Sequence, residues 1–212
     1  NFYTMVNLLE HLLNDVETFN KVLIFVAHKK MADRLFEKLN ETYNDESCVI
    51  HSNKTQNYRL QSIEQFRNGD KRIIVATDVM ARGLDIDNIS HVINFDTPTF
   101  PENYMHRIGR TGRAEREGHT ILFSTEKEQE YVRAIENLMQ MEISLLEFPG
   151  TIEISKELLE EERPQYKERH NPLKRRDEDF GNAFHEKSEK NLKENLGGKY
   201  RREIAKKYKK PK

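Results

Sequence analysis

The chain has 212 residues, of which 36% are hydrophobic and 33% are charged, which suits one ordinary domain with a polar extension. Its single cysteine, Cys48, excludes an intrachain disulfide and is typical of a reducing compartment. No apolar run reaches the roughly 20 residues that a membrane-spanning helix needs. These features predict a cytoplasmic protein that does not enter a membrane.

The net charge of −1 conceals an asymmetry along the chain. Residues 163–212 contain 17 Lys and Arg against 8 Asp and Glu, a net charge of +9. The remaining residues contain 18 against 28, a net charge of −10. The sequence therefore has an acidic body and a basic tail. Such tails commonly bind polyanions through counterion release, although a merely solubilising role is the alternative.

Helical and extended patterns alternate along the first 140 residues. Apolar residues at helical spacing predict helices, and short all-apolar runs predict strands covered on both faces. In chain order we expect a helix over 3–18, a strand over 22–26, a helix over 29–43, a strand over 48–51, a helix over 56–68, strands over 73–76 and 91–95, a helix over 101–108, a strand over 119–123 and a helix over 126–140.

Three details refine this interpretation. In the helix over 56–68 the spacing directs Leu60, Ile63 and Phe66 inward, and Gly69 is expected to terminate the helix. Cys48 precedes the apolar pair Val49-Ile50 and is expected to pack in the core.

Strands that alternate with helices at this spacing predict βαβ units and a parallel sheet. We expect the domain to span 1–150 and a connector to span 151–162, with a short charged helix near 156–163. The tail over 163–212, which is rich in Lys and poor in apolar residues, is predicted to be disordered and to bind a polyanion such as a nucleic acid, or another partner.

Residues 106–113 read His-Arg-Ile-Gly-Arg-Thr-Gly-Arg. Arginine recurs at every third position, and guanidinium groups are planar, permanently charged and forked to match phosphate oxygens. A solvated basic patch is the plain alternative, but a solvated surface does not need glycine between its arginines. The octapeptide therefore predicts a phosphate-binding element.

A second motif, Ala76-Thr-Asp-Val-Met-Ala-Arg-Gly-Leu-Asp85, follows a predicted strand. Ligands of parallel sheets bind beyond the carboxyl ends of the strands, where Thr77 and Asp78 stand. Gly83 permits close approach of a ligand to the main chain, and Asp85 can accept hydrogen bonds from a diol such as a ribose. A strand-end aspartate is also frequent as a helix cap or salt-bridge partner.

Together, 76–85 and 106–113 closely resemble motifs V and VI of the DEAD-box ATP-dependent RNA helicases. Residues 21–26 resemble motif IV, and Gln56-Asn-Tyr-Arg59 resembles the Gln-x-x-Arg of motif IVa. Order and spacing agree over about residues 20–123. The chain through about residue 150 is similar to the second RecA-like domain of that family, which implies a three-layer α/β/α fold with a mainly parallel sheet.

The resemblance also implies roles at a nucleotide site. Arg110 and Arg113 match the arginine fingers that act on the γ-phosphate. Gly83 and Asp85 match contacts to the nucleotide, with Asp85 at the ribose. Arg107 matches a residue that pairs across the cleft with the acidic box of the first domain.

Other positions match the RNA-coupling and RNA-binding parts of the family. His106 matches a link between the nucleotide site and the RNA motifs, although capping or packing is the alternative. Arg59, Thr77, Asp78 and Gly83 match the RNA-binding surface. Arg59 could instead form an ion pair with Glu64 or Asp70. Met80 departs from the family, since a small residue is common there, and is expected only to adjust loop packing.

The implied ligands are ATP with Mg²⁺, and RNA that is single-stranded or a short duplex. The chain contains neither a phosphate-binding Gly-x-x-x-x-Gly-Lys-Ser/Thr loop nor an Asp-Glu-Ala-Asp box. We therefore expect the metal ligands to come from an N-terminal RecA-like domain of a longer protein, and the chain alone to be inactive. It is expected to be a monomer with no metal site of its own. A non-catalytic RNA-binding or adaptor module is the alternative.

Overall fold

The computed structural model describes residues 1–81, 86, 88–111 and 118–163. All of them belong to the compact unit Asn1–Arg163. The predicted tail from residue 164 onward lies outside the described residues. Among the helices that are described, none combines the length and apolar character needed to cross a membrane.

A parallel five-stranded sheet organises the unit. The spatial order is β2-β3-β1-β4-β5, so that β1 lies at the centre between β3 and β4. Six α-helices and two short 3-10 helices, Asn44–Glu46 and Glu126–Glu128, complete the described elements. In chain order the strands and α-helices are α1 (Phe2–Leu13), β1 (Val22–Val26), α2 (Lys29–Tyr43), β2 (Ser47–Ile50), α3 (Gln56–Asn68), β3 (Ile73–Thr77), α4 (Asp78–Ala81), β4 (His91–Asn94), α5 (Pro101–Ile108), β5 (His119–Leu122) and α6 (Gln129–Met139). The predicted α/β class with a parallel sheet is confirmed.

The two faces of the sheet carry separate hydrophobic cores. Alternate residues of β1 enter opposite cores, since Val22, Ile24 and Val26 pack with α1 and α2, whereas Leu23 and Phe25 pack towards α3. Strands covered on both faces read as continuous apolar runs, which is why β1 to β4 were recognisable from the sequence. Cys48 is 3% exposed in the second core, as predicted.

The helix predicted over 3–18 ends earlier, at Leu13. The backbone N–H of Thr18 donates to the Asp15 carboxylate at 3.1 Å, a local bond that favours a turn over a continued helix. Val16, which falls within the predicted helix, lies beyond its observed end and is 52% exposed.

The predicted inward face of α3 was partly wrong. Leu60 is 58% exposed, whereas Phe66 is fully buried and Ile63 packs against the second core. The Thr55 hydroxyl caps the helix start by accepting from the Tyr58 N–H at 3.3 Å. Gly69 ends the helix with φ of 90°, as its position predicted.

The segment over 151–163 is not helical, contrary to expectation, but lies against α1 and α2 as an extended strap. Asn1 Nδ2 donates to the Ser155 carbonyl at 2.6 Å, and the Phe2 N–H donates to Glu162 Oε1 at 2.7 Å. Leu159 enters the first core. These contacts make the strap part of the compact unit rather than a free connector.

Candidate functional site

The carboxyl edge of the sheet gathers polar side chains from four elements. Thr77 is the last residue of β3, and Asp78 is the first of α4. Asn94 ends β4 and Asp96 follows it, while α5 brings Arg107 to the same place. Since β1 separates β3 from β4, this edge lies where the chain passes from one side of β1 to the other, a position at which parallel sheets commonly bind ligands.

The Arg107 guanidinium is the centre of this cluster and is 1% exposed. Its Nε and Nη2 donate to the two carboxylate oxygens of Asp78 at 2.6 and 2.9 Å, which is a bidentate pair. Its Nη1 donates to Asn94 Oδ1 at 3.2 Å and to the Asp96 carbonyl at 3.0 Å. The guanidinium also lies over the Phe25 ring, 5.2 Å from its centroid.

Asp96 places a second carboxylate beside the same guanidinium. Its Oδ1 lies 3.5 Å from Arg107 Nη2, and its Oδ2 accepts the Ala27 N–H at 2.6 Å. Burial raises the pKa of Asp96, and the Ala27 N–H and the Arg107 charge only partly oppose this. The cluster thus joins the end of β1, the end of β4, α4 and α5 through one cation.

This arrangement changes the interpretation of Arg107 and Asp78. We expected Arg107 to pair with another domain, yet in this structure its donors are directed to Asp78, Asn94 and Asp96 of its own domain. We expected the Asp78 carboxylate at the RNA, yet both of its oxygens accept from Arg107. The alternative of a salt-bridge partner describes Asp78 in this structure.

His106 and Arg110 are placed differently from Arg107. His106 lies in the last turn of α5 and Arg110 in the turn that follows the helix, and neither is buried. Arg110 Nε donates to the His106 carbonyl at 3.3 Å, and the Arg110 N–H donates to the Arg107 carbonyl at 3.1 Å. Thr111 closes the turn by donating its hydroxyl to the Ile89 carbonyl at 3.2 Å. The buried Arg107 therefore anchors the backbone from which Arg110 extends.

Arg59, on the first turns of α3, reaches α4. Its Nη1 lies 3.0 Å from the Met80 sulfur, and among the described residues it forms no ion pair with Glu64 or Asp70. Thr77 is 8% exposed and lies two residues before Val79, at the same carboxyl edge of the sheet. Three predicted site residues, Gly83, Asp85 and Arg113, lie outside the described residues.

Sequence reasoning missed Asn94 and Asp96 as partners of Arg107. A signal was present, because Asn94 stands between the apolar residues Ile93 and Phe95. It is fully buried, and a buried amide needs hydrogen-bond partners. Within the described part of the chain, no group of three His, Cys, Asp or Glu side chains is arranged to hold a metal ion.

Comparison with known proteins agrees with this geometry. A family model for the helicase conserved C-terminal domain matches residues 4–115. The ATP-dependent RNA helicase DeaD of Buchnera aphidicola is 42% identical over 146 residues, which is 69% of this chain and 24% of that protein. The chain thus spans about a quarter of the curated relatives it matches.

Solved structures give the same result. The E. coli DEAD-box protein SrmB, in a crystal structure with the regulator RraA, has a TM-score of 0.63 and 32% identity over 68% of this chain and 83% of that one. Domain 2 of the DEAD-box helicase Mss116p, bound to an RNA duplex, has a TM-score of 0.61 and 30% identity over 68% of this chain and 58% of that one.

Proposed function

The chain belongs to the helicase conserved C-terminal domain family, in the RecA-like form found in DEAD-box RNA helicases, and from this premise we propose that it is the second half of an ATP-dependent RNA helicase. In that role it closes on a first RecA-like domain when ATP and RNA bind. RNA-stimulated ATP hydrolysis and separation of a short duplex follow from repeated closure.

The observation that carries the proposal is the contrast between two neighbouring arginines. Arg107 is buried and bound to Asp78, so it serves as a fixed anchor. Arg110, three residues later, is not buried and extends from the turn that Arg107 holds. A guanidinium on a rigid support is suited to stabilise the charge that develops during phosphoryl transfer.

We propose that Arg110, together with Arg113, supplies the arginine fingers, and that Gly83 and Asp85 contact the nucleotide. Mg²⁺ neutralises charge on the phosphates in such reactions, and its ligands are assigned to the first domain. The RNA surface is assigned to Arg59, Thr77 and Gly83. His106 is assigned to the coupling between the two sites. The protein is proposed to act as a cytoplasmic monomer.

The test measures RNA-stimulated ATP hydrolysis of the full-length helicase with Arg110→Ala. Removal of an arginine finger is expected to lower the rate about 10³-fold or more, with thermal unfolding unchanged. Arg67→Ala is the matched control, because Arg67 lies in the last turn of α3, at the opposite edge of the sheet. Near-normal turnover of the Arg110 variant would exclude the finger role.

A further inference from the structure

The contact between Arg59 and Met80 is unusual among the arginines described here. Arg34, Arg72 and Arg107 each contact a carboxylate, of Glu161, Glu46 and Asp78 respectively. Arg59 instead directs Nη1 to the Met80 thioether at 3.0 Å. Its Nε is buried and has no hydrogen-bond partner in the described part of the chain.

A thioether sulfur is a weak, uncharged hydrogen-bond acceptor. It can orient a guanidinium, but it does not neutralise the positive charge as a carboxylate does. Among the described residues no carboxylate pairs with the Arg59 guanidinium, and its buried Nε–H has no acceptor. A phosphate oxygen is a strong, charged acceptor for a guanidinium whose charge no described carboxylate compensates.

Met80 is itself held firmly. It is partly buried and packs against the second core. It also lies in the single helical turn α4, whose first residue, Asp78, is fixed by both hydrogen bonds from Arg107. The Met80 sulfur is thus held in place, and its contact with Arg59 orders that long, flexible side chain.

We propose that Met80 is a positioning residue for RNA binding: its thioether orients the Arg59 guanidinium towards an RNA phosphate without neutralising it. This inference rests on the proposed function and assigns a role to the residue by which this chain departs from the family pattern. Ordering Arg59 before RNA arrives removes part of the side-chain entropy cost of binding, which for one long side chain corresponds to about 2- to 10-fold in affinity.

The experiment measures binding of a short fluorescein-labelled RNA duplex to the 212-residue chain by fluorescence anisotropy at several salt concentrations. Arg59→Ala is expected to weaken binding and to lower the log–log salt slope by about 0.7 to 0.9, the value of one phosphate contact. Met80→Ala and Met80→Leu are each expected to weaken binding about 2- to 10-fold. Leucine keeps the apolar volume and removes only the sulfur.

The decisive comparison is a double-mutant cycle, because a residue that acts through Arg59 has no effect once Arg59 is absent. Met80→Ala is expected to leave the affinity of the Arg59→Ala variant unchanged. Val79→Ala is the matched control, since Val79 lies on the same helical turn and is 71% exposed. Thermal unfolding of each variant checks that the domain remains folded.

The outcomes separate the inference from the function on which it rests. If Arg59→Ala leaves RNA affinity unchanged, the RNA assignment of Arg59 in the proposed function fails, and the inference fails with it. If Arg59→Ala weakens binding but the Met80 variants bind normally, bind more tightly or add independently to Arg59→Ala, the positioning role is overturned while the RNA assignment stands.

Discussion

Replacing Arg107 tests whether its guanidinium is an internal anchor. In Arg107→Ala the Asp78 carboxylate loses both of its bonds to Arg107, and Asn94 Oδ1 and the Asp96 carbonyl lose a donor. Removing one partner of a buried ion pair typically costs about 3–5 kcal/mol. Since whole domains are stable by only about 5–15 kcal/mol, the variant is expected to unfold at a much lower denaturant concentration.

Arg107→Lys gives a milder version of the same change. The ammonium keeps the charge but cannot reproduce the fork that meets Asp78 and Asn94 together. Because hydrogen bonds to charged groups contribute about 1.5–3 kcal/mol each, we expect a loss of about 2 kcal/mol. This variant keeps the test informative if the alanine variant does not fold.

The assay is chemical unfolding of the 212-residue chain, followed by circular dichroism. Arg110→Ala is the control, because its partly exposed side chain lies three residues away and its removal should change the free energy of unfolding by less than about 0.5 kcal/mol. A loss below about 1 kcal/mol for Arg107→Ala would refute the reasoning. It would show that the guanidinium does not stabilise this domain and is free to serve another one.

Two further predictions concern other parts of the unit. A chain ending at residue 150 is expected to be about 2 kcal/mol less stable to denaturant than one ending at 163, because it loses the burial of Leu159; equal stability would show that the strap is dispensable. Burial, with a smaller effect of the neighbouring His119, lowers the pKa of His91 below its ordinary 6.5. Protons then bind more readily to the unfolded chain, so stability should fall between about pH 7 and pH 5. His91→Gln is expected to flatten this dependence and the exposed His11→Gln to leave it unchanged; a slope that survives His91→Gln would contradict the assignment.

The sheet was predictable because its central strands are covered on both faces. Runs such as Val22–Val26 and Ile73–Ala76 have no amphipathic alternation and are too short for core helices. The strap was not predictable in the same way. Its charged residues over 156–163 favour a helix by propensity, but in the structure their partners lie on α1 and α2, far away in sequence.

The candidate site shows a similar division. The octapeptide and the strand-end motif both indicated the carboxyl edge of the sheet, where the structure brings Arg107 and Asp78 together. The different roles of the arginines in the octapeptide could not be inferred from their spacing alone. Arg107 and Arg110 stand three residues apart in one motif, and only their burial distinguishes the buried anchor Arg107 from the partly exposed Arg110.

The Phe2 N–H is hydrogen-bonded to Glu162, and the Asn1 side chain to the Ser155 carbonyl, so both ends of the compact unit are attached at one place. A force that pulls the chain apart at its first residues and at residue 163 would be borne by these two hydrogen bonds. The hydrogen bonds between the β-strands would not carry it.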